Sequence, residues 1–144
     1  MKQGVLIILI FSVALVATAW SFSQKSYYNE KHPLLDQIRA NFAKIDPKYG
    51  EIPLRSGDSA FTENKEVITL CLINPDTKQA YDINTLMYVA LHELAHVIST
   101  TTGHDSIFKA NFALMLKKGA ELGFYDPRKP IPVTYCAVKT GSHG

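Results

Sequence analysis

The sequence predicts an α+β domain behind one N-terminal apolar helix, and three observations carry that reading. Apolar residues recur at helical spacing after Pro33, the β-branched run 66–73 is short and bounded by polar residues, and 84–101 reads as a helix that is apolar almost all round. The chain has 144 residues, 47% hydrophobic and 19% charged, a balance that excludes wholesale disorder and collagen-like repeats. Beyond the apolar start, roughly 120 residues remain, the size of one ordinary domain. Basic and acidic side chains number 15 and 13, too even for a dedicated phosphate-backbone binder, so no nucleic-acid partner is expected.

Residues 1–22 concern the membrane. Between Val5 and Trp20 only Ser12 and Thr18 are polar, and 4–22 nearly matches the ~20 residues that a helix needs to cross hydrocarbon. A single-pass anchor is expected. The alternative is a cleavable signal peptide and a secreted chain, because Ala17, Thr18 and Ala19 form a small-residue triplet. Trp20, Phe22, Tyr27 and Tyr28 cluster where an interfacial aromatic belt sits, which favours the anchor. Residues 23–32 are polar and read as a juxtamembrane linker, with helical continuation of the span as the other option, and 33–144 form the soluble domain.

Pro33 suits a first helical position, and Leu34, Leu35, Ile38, Phe42 and Ile45 continue the pattern until Asp46 and Pro47 stop it. A short apolar piece, 52–55, precedes a Ser-Gly-Asp turn. The run 66–73 then reads as a strand buried on both faces or along a cleft wall. After the apolar helix, Asp105 or Ser106 caps another helix closed by Gly123, and the proline-bearing tail allows one short strand at 133–138. Cys71 and Cys136 fit either one disulfide or two buried thiols.

The only acidic or histidine side chains inside the apolar helix are His92, Glu93 and His96, reading H-E-L-A-H. Positions i and i+4 share one helix face about 6 Å apart, so both imidazoles reach one metal ion while Glu93 flanks it. With five His in the chain, chance produces this pattern roughly once in 140 such compositions. Burying three titratable groups among Leu, Ala and Val is costly without a metal to balance them. Catalytic zinc usually takes three protein ligands. His104, eight residues after His96 and just beyond Gly103, is the first candidate for the third; Glu121, near the end of the next helix, is the weaker one.

HELAH, the step to His104, then Asp105 and Phe108 resemble the H-E-x-x-H…H-[DG]-x-x-F pattern of the WLM and SprT-like zinc metallopeptidases. The block ENKEVITLCL, the run NTLMYVALHELAH and the late VTYCAV are similar to small membrane-anchored metallopeptidases of large DNA viruses. The resemblance covers about 60–138. It implies a zincin fold with Zn²⁺ on His92, His96 and His104, Glu93 as catalytic base, and the preceding strand along the cleft. The metzincin spacing fails, because Ser99 and Thr102 stand where that group has glycine and histidine.

The expected chemistry is peptide hydrolysis with a metal-activated water and Glu93 as general base. Asp105 is expected either to accept the second N–H of His104 or to cap the helix. Val67, Ile68, Thr69 and Leu70 are expected to hold an extended protein or peptide substrate by main-chain pairing, if that strand has a free edge. Tyr135 is a candidate oxyanion donor. Lys117, Lys118, Arg128 and Lys129 read as a solvated basic face, and His143 as part of a disordered tail. Two other functions stay open: a catalytically idle structural membrane or virion protein, which has no need of Glu93, and a DNA-associated protease, which the missing zinc knuckle and basic tail disfavour.

Overall fold

The computed structural model describes residues 2–142, so His143 lies outside the described residues. Helix α1 is Lys2–Tyr28; within it Gln3–Ser21 has a mean hydropathy of 2.3, is exposed, and is long and apolar enough to cross a membrane. Of the two options for the polar stretch after it, linker or helical continuation of the span, the structure shows continuation over its first part. Helical backbone runs to Tyr28, leaving 29–32 as the connection, and that connection is bonded rather than loose. Asn29 Oδ1 accepts from the Leu54 amide (3.2 Å), the Glu30 amide donates to the Leu54 carbonyl (2.9 Å), and the Glu30 carboxylate accepts from the Ser56 amide (2.8 Å).

Helix α2, Pro33–Ile45, begins as expected: His32 caps it, with Nδ1 accepting from the Leu34 amide, and Leu35, Ile38 and Phe42 form its buried face. A 3₁₀ turn, Pro47–Glu51, follows. The main sheet has β1 (Leu54–Ser56), β2 (Phe61–Glu63) and β3 (Val67–Leu70) in the order β1-β3-β2. β3 runs parallel to β1, with Leu54 opposite Ile68, and antiparallel to β2, with Phe61 opposite Thr69. Asn64 and Lys65, at φ 51° and 57°, make the tight turn between β2 and β3.

Two expectations about this strand are corrected. It stops at Leu70 instead of running to residue 73, because β1 and β2 are only three residues long and offer no partner further on. Val67, Ile68, Thr69 and Leu70 also have no free edge, since β3 is the middle strand with both sides paired. The unpaired edge beside it belongs to β2.

Helix α3, Ile83–Ile98, starts with Asp82, whose carboxylate accepts from the Thr85 amide (3.0 Å), and ends where the Ser99 hydroxyl turns back onto the Ala95 carbonyl (2.6 Å). Serine in the last turn competes for a helix carbonyl, so the helix closes three residues before Thr101. Leu86, Met87, Val89, Ala90, Leu91, Leu94 and Ala95 are fully buried, which makes α3 the centre of the domain. Helix α4, Ser106–Glu121, packs beside it; at Gly119 a Cβ would stand 3.1 Å from Leu91 Cδ1, so the missing side chain permits the approach. In place of one strand at 133–138 there is a hairpin, β4 (Thr134–Tyr135) and β5 (Val138–Lys139), with Cys136 and Ala137 at positive φ. Cys136 is disulfide-bonded to Cys71, which ties this hairpin to the end of β3.

Candidate metal centre

The buried face of α3 carries His92 and His96 one turn apart, 2% and 8% exposed, with Glu93 fully buried between them. After Ser99 the chain turns through Gly103, at φ 76°, a conformation that glycine adopts without strain, and brings His104 back over α3. The three Nε2 atoms then lie 3.3 Å (His92 to His96), 3.1 Å (His92 to His104) and 3.1 Å (His96 to His104) apart.

That triangle is close to what one tetrahedral ion requires. With zinc–nitrogen bonds of about 2.0–2.1 Å, ligand nitrogens sit about 3.3–3.4 Å from one another. Imidazole nitrogen is also a preferred zinc donor, so spacing and chemistry fit the same ion. Glu121 takes no part: it is exposed and 3.8 Å from Lys117.

Phe108, in the first turn of α4, packs against all three imidazoles. Its ring centroid is 4.2 Å from that of His96, nearly parallel, and 4.8 Å from those of His92 and His104. Phe112, one turn on, meets His92 edge-on at 5.1 Å. These rings hold the imidazole planes and exclude water from one side. Phe112 was legible at i+4 from Phe108, but only the packing of α4 on α3 shows where that face points.

Glu93 Oε2 accepts from the Thr62 hydroxyl (2.8 Å), while Oε1 is buried with no hydrogen-bond partner. Burial pushes the carboxyl up to about 7, with the Thr62 bond pulling the other way. Thr62 lies on β2, thirty-one residues from Glu93, so no local pattern announces it.

Of the two roles expected for Asp105 the structure shows the cap, and the expectation for Tyr135 changes. Asp105 is the N-cap of α4: its Oδ1 accepts from the Phe108 amide (2.9 Å), which holds its carboxyl below the ordinary value, so it fixes the chain beside His104 instead of bonding that ring. Tyr135 is fully buried and its hydroxyl donates to the Cys71 carbonyl, so its proton is committed to the fold and not to an oxyanion. Burial raises its pKa further.

No protein-family model matches the chain, and no solved structure matches it. It is similar to three viral proteins. Uncharacterized protein 042R of Invertebrate iridescent virus 3 is 38% identical over 90 residues, 62% of this chain and 57% of that protein. Uncharacterized protein 136R of Invertebrate iridescent virus 6 is 41% identical over 88 residues, 60% and 49% respectively. Uncharacterized protein R325 of Acanthamoeba polyphaga mimivirus is 33% identical over 113 residues, 77% and 57%. The chain therefore spans about half the length of the curated relatives it matches.

Proposed function

We propose that this chain is a membrane-anchored viral zinc peptidase with a zincin-like core of the WLM and SprT-like kind. The observation that carries the reading is the three-nitrogen triangle of His92, His96 and His104 beside a buried carboxylate on the same helix. The viral relatives support a viral origin, and the apolar α1 supports a membrane setting. A structural virion protein needs no buried base.

His92, His96 and His104 would hold Zn²⁺, which when bound acidifies a water and polarises a carbonyl. The remaining chemistry belongs to the chain. Thr62 holds Oε2 of Glu93, leaving Oε1 to take a proton from the attacking water and deliver it to the leaving amine. A carboxyl whose affinity for protons is raised toward neutrality suits both transfers. The outer edge of β2, the strand that carries Thr62, offers main-chain donors and acceptors to an extended substrate, giving affinity with little side-chain selectivity.

The test uses the full chain in detergent micelles. Metal analysis should find one zinc per chain, held much more weakly in His104→Ala and kept in Glu121→Ala, with cleavage of an unfolded test protein. Glu93→Gln should keep the zinc and lose roughly 2 to 4 orders of magnitude in turnover. A zinc-loaded Glu93→Gln chain with full activity would remove Glu93 from the mechanism.

A further inference from the structure

The third histidine differs from the other two in how it is carried. His92 and His96 ride on a buried helix, whereas His104 sits in the loop between α3 and α4 and is partly exposed. That loop is bonded near its ends. At Ser99 the hydroxyl, which bonds the Ala95 carbonyl, also accepts from Asn111 Nδ2 (3.0 Å), and at Asp105 the chain is held by the cap of α4. Between them the backbone turns through Gly103, the most permissive residue available.

A contact from outside the two helices reaches this loop. Lys65, at the tip of the β2–β3 hairpin, donates from Nζ to the Ser99 carbonyl and to the Thr101 carbonyl (2.6 Å). The Ser99 carbonyl, at the C-cap of α3, lacks an intrahelical donor and lies at the negative end of the helix dipole, so an ammonium suits it, and the Thr101 carbonyl in the loop beyond is reached by the same group. Three residues back along the same hairpin, Thr62 bonds Glu93. One hairpin thus reaches both the buried base and the loop of the third histidine.

We infer that Lys65 is a positioning residue for the third metal ligand: by bridging the Ser99 and Thr101 carbonyls it pre-orders the loop so that His104 meets His92 and His96. The inference rests on the proposed metal centre. Without Lys65 the loop must be ordered when the ion binds, and supporting groups of this kind change metal affinity by about 10–100-fold.

The test is zinc affinity by chelator competition on the full chain in micelles, with far-ultraviolet dichroism to confirm folding. Lys65→Met should weaken zinc by about 10–100-fold, Lys65→Arg, which can still donate to both carbonyls, should restore most of it, and Lys65→Gln should fall between and replace Met if that variant does not fold. Asp82→Ala, which removes the cap at the opposite end of α3, should lower thermal stability and leave the affinity unchanged. In a His104→Ala background the Lys65 substitution should have no further effect on residual zinc binding; a general structural role would weaken both backgrounds alike and overturn the inference. Wild-type chain that binds zinc, with Lys65→Met or Lys65→Gln binding it equally well, also overturns it while sparing the metal centre. Wild-type chain that binds no zinc overturns the centre itself.

Discussion

Phe108 is the residue on which the three imidazoles converge, and it is only 3% exposed. Phe108→Ala opens a cavity against all three rings and should cost about 3–5 kcal/mol, measured by chemical denaturation, together with a loss of zinc retention. Thr62→Val keeps the shape and deletes one hydroxyl. Because the Thr62 bond lowers the Glu93 pKa, its removal should raise that pKa and move the acid limb of the pH–rate profile to higher pH, with zinc content unchanged. A profile that does not move would assign Thr62 to strand packing alone.

At the scale of elements, α3 depends on its first turn. Partial burial works against a charged Asp82, but hydrogen bonds from the Thr85 hydroxyl and amide outweigh it, so its carboxyl sits below the ordinary value. A lowered folded-state pKa means that the cap contributes fully above the unfolded value of about 4 and fades as pH falls through the folded one. Asp82→Ala should cost about 0.5–2 kcal/mol at neutral pH, and the gap to wild type, read from thermal melts, should narrow below about pH 4. The sheet makes a separate statement. Thr69 is buried in the middle strand and accepts from Arg55 Nε (2.9 Å), so Thr69→Pro should break the fold instead of selectively weakening substrate binding. A folded Thr69→Pro chain would contradict the strand order.

For the whole molecule, the disulfide and the apolar helix bear on the same question of compartment. Cys71 and Cys136 are 65 residues apart, and their bond ties the β4–β5 hairpin to the strand end beside α3. Cys136→Ser should lower stability by about 2–5 kcal/mol in unreduced samples and by little after reduction. Since disulfides persist in oxidising spaces, we expect the soluble domain on the non-cytoplasmic side, checked by protease protection in sealed vesicles. A retained α1 keeps the chain in membranes through a carbonate wash, whereas a cleaved signal releases a soluble chain beginning near Trp20.

By itself the sequence determined what depends on neighbours along the chain. Helical periodicity with Pro33 at its start placed α2, and unbroken apolarity marked both α1 and the central α3. The spacing of His92 and His96 needed only the pitch of a helix. His104 was reachable because one glycine turn joins it to that helix. What the tertiary structure alone decided are relations between segments far apart in sequence. Strand order is such a relation: an apolar run reads the same in the middle of a sheet as at its edge, and β1 and β2 are too short to declare themselves. The hydroxyl on Glu93, the ammonium on the His104 loop and the partner of Cys71 come from residues 31, 36 and 65 positions away along the chain. No local pattern encodes such pairings, because side-chain hydrogen bonds and disulfides form between whatever surfaces the packing of α3 brings together.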